Sequence, residues 1–301
     1  MKRPPYLKKG DLVAIVCTAS AIRDGISEGV RILESWGLRV HVSESVSSTW
    51  NTFAGTDERR RADLQDALND VEVKAVFAAR GGYGTVRIID GIDWEIFSIN
   101  PKWLIGFSDI TVLHSHVQRQ TQIATVHGQM PKTFEEGTSA SIESLRKALF
   151  GEELIIQYTS TSSYNRLGTA KSEIVGGNLA ILQSILGSDS DPIYDGKILF
   201  IEDVGEALYN IDRMMWTLLR AGKLNNLRGL IVGGFTSMKE SDPAFGQSIY
   251  EIITEKVKTF SYPVAFDFPA GHIADNHAII FGVPAKLEVS ENQVTLTYSN
   301  T

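Results

Sequence analysis

The chain has the sequence KWLIGFSDIT at residues 102–111, where an apolar run ends at Gly-x-Ser and a helix-like segment follows at once. A serine on a tight strand-to-helix turn presents its hydroxyl clear of the backbone, and the N–H groups that open the helix can bind an oxyanion. This pattern fits a nucleophile. It also fits a serine that caps the helix beginning near Asp109. The second glycine of the hydrolase motif G-x-S-x-G is replaced by Ile110, so these ten residues leave both alternatives open for Ser108.

Short β-branched runs alternate with helical patterns on both sides of this stretch. Strands are predicted at 12–16, 38–42, 73–79, 103–107 and 123–127, and helices at 26–36 and 57–69. The alternation predicts an α/β fold in which a mainly parallel sheet is flanked by helices, of the nucleophile-elbow type. Because ligands gather at the carboxyl ends of such strands, Ser108 is expected at the functional edge of the sheet.

The second half of the chain has a different residue pattern. Residues 157–165 are rich in Ser, Thr and Tyr and are interpreted as a connecting segment. We therefore predict an N-terminal α/β domain over residues 1–160 and a mixed α/β domain over residues 161–301. Helices are predicted there at 178–186, 208–221 and 247–260, and strands at 197–201, 230–235, 264–268, 278–281, 285–289 and 294–298.

Composition limits the possible functions. The 301 residues are 43% hydrophobic and 22% charged, which is typical of a folded globular protein. The net charge is −7 and the longest basic run is Arg59–Arg61, so a nucleic-acid partner is not expected. No apolar run approaches the roughly 18–20 residues that span a bilayer, so a membrane partner is not expected either.

The only cysteine, Cys17, lies inside an apolar run and is interpreted as a buried core thiol. The basic start of the chain is followed by a short apolar stretch without a clear small-residue cleavage site. These features together predict a cytoplasmic protein.

The sequence RGGYG at residues 80–84 follows a predicted strand. Glycines there allow the backbone to approach a ligand with free N–H groups, although a simple turn explains them equally well. A dinucleotide fingerprint would require glycine where Arg87 stands, and the chain has no phosphate-binding P-loop motif. We predict no cofactor.

Six histidines are candidates for a general base. His114 and His116 lie two residues apart on one predicted helix, so they cannot share a face and are interpreted as packing or surface residues. His127 ends a strand and either lines the cleft or caps a turn. His272 follows a strand and a glycine, which makes it the best candidate. Without a Cys/His cluster or an H-E-x-x-H motif, no metal site is predicted.

Carboxylates follow a buried strand in ILFIEDVGE, residues 198–206. One of them could orient a histidine as the acid of a triad does, or they could favour the N-terminus of the next helix through its dipole. Glu202, at the end of the strand, suits the first role, whereas Asp203 and Glu206 suit the second.

Taken together, these motifs resemble the serine LD-carboxypeptidase family, which also contains the microcin C self-immunity peptidases. The resemblance covers nearly the whole chain. It is carried, in the order found in the family, by a strand within 10–20, FAGT at 53–56, RGGYG at 80–84, GFSDIT at 106–111, GGNL at 176–179, IED at 201–203 and GH at 271–272.

The resemblance implies a Ser-Glu-His triad, with Ser108 as nucleophile, Glu202 as acid and His272 as general base. It also implies that isoleucine at position 110 is normal in the family. An oxyanion hole is then expected from the backbone N–H groups of Asp109 and Gly82.

The substrate carboxylate is expected to meet Arg80, and Asn178 is expected to line the cleft. The implied reaction removes the terminal D-alanine of a murein tetrapeptide during cell-wall recycling, in the cytoplasm, without a cofactor and by a homodimer. The alternatives are a microcin-type immunity peptidase that cleaves acyl-sulfamoyl or aminoacyl nucleotide conjugates, and a binding module without catalysis.

Overall fold

The computed structural model describes residues 1–298, so residues 299–301 of the predicted C-terminal domain lie outside the described residues. The first half of the chain builds five parallel strands: β1 Leu12–Val16, β2 Arg39–Val42, β3 Val73–Ala78, β4 Trp103–Gly106 and β5 Thr125–His127. The helices between and after them are α1 Ser27–Ser35, α2 Asp57–Asn69, α3 Glu95–Ile99, α4 Thr111–Thr121 and α5 Ser139–Phe150.

The second half contributes a seven-stranded mixed sheet. Its strands are β6 Ile155–Thr159, β7 Gly168–Asn178, β8 Ile198–Val204, β9 Gly229–Thr236, β10 Val264–Ala265, β12 Pro284–Val289 and β13 Gln293–Tyr298, in the spatial order 10-9-8-7-12-13-6. Its helices are α6 Leu179–Ser184, α7 Leu208–Arg220 and α8 Ile249–Val257. The strands β7 to β10 run parallel, and the remaining pairs are antiparallel. The predicted α/β class, with a mainly parallel first sheet and a mixed second half, is confirmed.

The segment 157–165 is only partly a connection, because residues 155–159 form β6. Ile156 packs into the core while its neighbours Ile155 and Gln157 are exposed, which is the alternation of an edge strand. The Ser/Thr-rich stretch that follows concealed this strand in the sequence. The prediction of a connecting segment is therefore wrong over its first three residues.

Sheet membership crosses the predicted boundary at residue 160 in both directions. The strand β11, Ile279–Phe281, pairs antiparallel with β5 and completes the first sheet in the order 11-5-4-3-1-2. Conversely, β6 lies at the edge of the second sheet. The division at residue 160 stays a prediction, but neither sheet is built from one predicted domain alone.

A shared core connects the two sheets. One cluster of buried apolar side chains runs from Val13 and Phe77 in the first sheet to Phe200 and Leu287 in the second. Two further clusters fill the other faces, one beneath α2 and α4 and one beneath α7 and α8. The carboxyl ends of β4 and β8 thereby face each other across the junction.

Candidate active site

Ser108 lies in a strained elbow between β4 and α4. Its φ of 67° is in the left-handed region, which costs a non-glycine residue about 1–3 kcal/mol. The turn at Ser108–Ile110 and the helix after it have no side-chain cap, so the capping alternative does not hold. A Cβ at Gly81 would lie 2.9 Å from Ser108 Cβ, so a glycine is required where the neighbouring loop touches the elbow.

The structure brings Ser108 together with the other two predicted triad residues. His272 Nε2 lies 3.1 Å from Ser108 Oγ, and His272 Nδ1 lies 2.6 Å from Glu202 Oε2. Glu202 is fully buried near the end of β8, and the His272 side chain is 19% exposed. The hydroxyl, the imidazole and the carboxylate thus form one hydrogen-bonded series whose serine and histidine are partly exposed and whose carboxylate is closed to solvent.

The surroundings of His272 act on its pKa in opposite directions. Burial by itself lowers the pKa of His272, but the hydrogen bond and charge of Glu202, together with the charge of Asp203, raise that pKa above its ordinary value. Asp203 is itself buried, and burial together with the charge of Glu202 raises its pKa to about 6. The site can therefore stabilise a positive charge that develops on His272.

The glycine loop, residues 80–84, lies beside the elbow. Gly82 has a φ of 116°, a Cβ there would overlap Ser20 Oγ, and no described residue accepts a hydrogen bond from its N–H. The side chain of Asp109 is buried and accepts a bond of 2.9 Å from the N–H of Thr85. Burial raises the pKa of this carboxyl. Asp109 therefore connects the elbow to Thr85, the residue directly after the loop, while the oxyanion role of the two N–H groups stays a prediction.

The two predicted substrate contacts are engaged within the protein. Arg80 Nη1 donates to the carbonyl oxygen of Ala21 at 2.9 Å. Asn178 caps α6, accepting from the N–H of Ile181 at 3.1 Å and donating to Asp203 Oδ1 at 3.0 Å, and it is only 5% exposed. Both side chains therefore have structural contacts of their own.

Three polar residues near the site make contacts that the sequence does not predict. His114 is buried, not on the surface, and its Nε2 lies 2.9 Å from the carbonyl oxygen of Gly106, just before the elbow. His127 is also fully buried and does not line the cleft. Thr111 Oγ1 accepts a bond of 3.0 Å from the N–H of Asn178, which connects α4 to the second half of the chain. No residue spacing reveals these contacts, since each depends on the tertiary fold.

Residues 1–298 contain no group of three or more His, Cys, Asp or Glu side chains arranged to hold a metal ion. Within the same residues, every helix is too short or too polar to cross a membrane.

A serine hydroxyl, an imidazole and a carboxylate in hydrogen-bonded series form the arrangement that serine hydrolases use. Comparison with known proteins agrees with this class. Residues 13–128 match the model of the LD-carboxypeptidase N-terminal domain, and residues 171–287 match that of the C-terminal domain. The chain therefore belongs to the LD-carboxypeptidase family and is an enzyme of the serine LD-carboxypeptidase class.

Named relatives align over nearly the whole chain. A murein tetrapeptide carboxypeptidase of Pseudomonas aeruginosa is 33% identical, with 92% of each chain covered. A protein of Bacillus subtilis named "probable murein peptide carboxypeptidase" is 34% identical, covering 98% of this chain and 94% of that one.

Solved structures share the fold. A muramoyltetrapeptide carboxypeptidase from Oxalobacter formigenes superimposes with a TM-score of 0.87 at 25% identity, covering 96% of this chain and 99% of that one. The protein MccF, solved in complex with glutamyl sulfamoyl guanosine, has a TM-score of 0.87 at 20% identity, with 98% of each chain covered. At that identity the second likeness concerns the fold alone.

Proposed function

We propose that this enzyme releases the terminal D-alanine of a murein tetrapeptide by hydrolysing the bond between an L-configured centre and that residue. The observation that carries the proposal is the continuous series from Ser108 through His272 to the buried Glu202. The substrate class is supported by the murein tetrapeptide carboxypeptidase of Pseudomonas aeruginosa, to which the chain is similar over 92% of its length.

In the proposed mechanism, Ser108 Oγ attacks the carbonyl carbon while His272 Nε2 takes the hydroxyl proton. The tetrahedral intermediate collapses when His272 returns this proton to the amine of the leaving D-alanine. A water molecule, deprotonated by the same nitrogen, then attacks the acyl-enzyme and releases the shortened peptide with Ser108 restored. Glu202 holds the Nδ1–H tautomer throughout and stabilises the imidazolium that forms in each step.

We assign the oxyanion of the intermediate to the backbone N–H groups of Gly82 and Asp109. The assignment is supported by the contact between the glycine loop and the elbow, where a Cβ at Gly81 would lie 3.1 Å from Ser108 Oγ. Loss of one such donor typically costs about 10²–10³ in rate.

Recognition of the free carboxylate of the substrate is proposed for Arg80, which reaches from the same loop. Its guanidinium carries several N–H donors, and one nitrogen already bonds to Ala21. Asn178 is proposed to shape the cleft through its bond to Asp203 Oδ1. The N–H of Ala180 donates to Asp203 Oδ2, and the two bonds together hold the start of α6 beside β8.

The test uses the purified full-length chain and a murein tetrapeptide, with free D-alanine measured by mass spectrometry. We expect release of one equivalent of D-alanine by the wild-type chain and none above background by Ser108→Ala, with thermal unfolding showing that this variant is folded. The matched control is Ser115→Ala, since Ser115 is a buried serine on α4 rather than at the elbow. D-alanine release by Ser108→Ala at the wild-type rate would refute the triad. An inactive wild-type chain would refute murein tetrapeptide as the substrate.

A nucleotide conjugate such as processed microcin serves as the comparison substrate. The likeness to MccF concerns the fold alone, so it does not decide whether this enzyme cleaves such conjugates. Cleavage of the conjugate without D-alanine release would favour the immunity-peptidase alternative. A cytoplasmic location and a homodimer complete the proposal. Cell fractionation tests the first, and light scattering on the purified chain tests the second.

A further inference from the structure

A buried histidine and a buried asparagine lie directly behind the loop that carries His272. His127 ends β5, Asn276 precedes β11, and neither side chain is exposed. His127 Nε2 lies 3.1 Å from Asn276 Oδ1, and the same oxygen accepts a bond of 2.7 Å from the N–H of Gly271. Since Gly271 immediately precedes His272, this series connects the sheet of the nucleophile to the backbone of the candidate base.

The anchored glycine lies against the candidate acid. Gly271 has a φ of 109°, and a Cβ there would lie 2.8 Å from Glu202 Cβ and 2.9 Å from Glu202 Oε2. Thr236 Oγ1 also donates to the carbonyl oxygen of His272, at 3.1 Å. A displacement of Gly271 would therefore alter the 2.6 Å contact between His272 and Glu202 directly.

The hydrogen bonds also define the protonation of His127. Because a backbone N–H can only donate, the atom of Asn276 that faces Gly271 is the oxygen, and His127 must donate to it through Nε2–H. Burial lowers the pKa of His127 to about 3, so the ring is neutral and Nδ1 carries no proton. A neutral ring adds no positive charge beside His272.

Aromatic packing holds the His127 ring in place. Its centroid lies 5.0 Å from that of Phe200 in an edge-on arrangement and 5.8 Å from that of Phe107. Phe107 precedes Ser108 and also packs edge-on against His272 at 5.0 Å. The Phe107 ring therefore contacts both His127 and His272 directly beside the elbow.

We propose that His127 and Asn276 are positioning residues, which set the backbone of the His272 loop so that the imidazole meets both Ser108 and Glu202. The inference rests on the proposed function, since it assigns these residues a part in the same proton transfer. Neither side chain touches the substrate in this role. They act through the N–H of Gly271.

The test compares His127→Leu, which removes the donor, with His127→Gln, whose amide can donate from a similar position. His116→Leu is the matched control, because His116 is a buried histidine that bonds to Ser190 outside the site. For each variant we measure kcat and KM on the murein tetrapeptide. The pKa of the His272 imidazole is followed by NMR on histidine-labelled protein, a readout that needs no substrate.

In His127→Leu we expect kcat to fall about 10–100-fold with KM within a factor of about three, since a small misplacement of reacting groups carries such a cost. The pKa of His272 should fall as its contact with Glu202 loosens. His127→Gln should restore most of both values, and His116→Leu should leave both unchanged.

An unchanged kcat and an unchanged His272 pKa in His127→Leu would overturn the proposal, as would equal shifts in His116→Leu. If His127→Leu does not fold, Asn276→Ala removes the acceptor instead and is expected to lower the same pKa. If the wild-type chain hydrolyses no peptide, the proposed function fails, but the NMR titration still decides whether these residues position His272.

Discussion

Replacing Glu202 by glutamine removes a negative charge from the buried end of the hydrogen-bonded series and changes little in side-chain volume. The carboxylate is fully buried, and its Oε2 lies 2.6 Å from His272 Nδ1. For charge centres about 4 Å apart and an effective dielectric constant of about 20, the attraction between this carboxylate and an imidazolium is about 4 kcal/mol. Each ~1.4 kcal/mol corresponds to a factor of ten in rate, so Glu202→Gln should reduce kcat about 10³-fold.

The assay is D-alanine release from murein tetrapeptide at several pH values, with kcat and KM determined separately. KM should change little, because Glu202 lies behind His272 and has no access to the substrate. Glu288→Gln is the chemically matched control: this carboxylate lies on β12, half exposed, in an ion pair with Lys286. A fall in kcat of less than tenfold in Glu202→Gln, with the control at wild-type activity, would refute the assignment of Glu202 as the acid of the triad.

Three further predictions concern the base, the elbow and the core. Glu202 raises the pKa of His272, and only the neutral ring accepts a proton. We therefore expect kcat/KM to fall as the pH falls, with a midpoint above about 6.5, the ordinary pKa of histidine. A midpoint below that value would contradict the assignment of His272 as the base. Gly81→Ala places a Cβ 2.9 Å from Ser108 Cβ and should lower kcat about 10–100-fold with little change in thermal stability; wild-type kcat would show that the loop has room. Phe200→Ala should lower the free energy of unfolding in urea by about 3–5 kcal/mol, because this ring is fully buried between the two sheets, and a loss below about 1 kcal/mol would contradict that packing.

The sequence predicts most of the elements that position the site. The strand at 12–16 and the helix at 57–69 are found with the predicted bounds, because β-branched runs and a capped, charged helix carry strong local signals. The elbow at residue 108 is also where the pattern places it. The local sequence does not distinguish the two possible roles of Ser108, because a serine at this position can serve either as a helix cap or as a nucleophile.

What the sequence does not predict depends on contacts between distant segments. Ser108 and His272 are 164 residues apart, and in the sequence only the family resemblance places them in one site. The apolar run at 278–281 predicts a strand but not the sheet to which that strand belongs. For the same reason the sequence does not predict the environment of His127, because its partner Asn276 is 149 residues away.

The strand β11 has a consequence for how the enzyme can be divided. It lies beyond the His272 loop in the chain, yet it covers the outer edge of β5 in the sheet that carries Ser108. A fragment ending near residue 160 would expose the hydrogen-bonding groups of β5 along an open edge, which is a site for aggregation. We expect the two halves, produced as separate polypeptides, to be insoluble or inactive alone, and a cut between them to be tolerated only after the complete chain has folded.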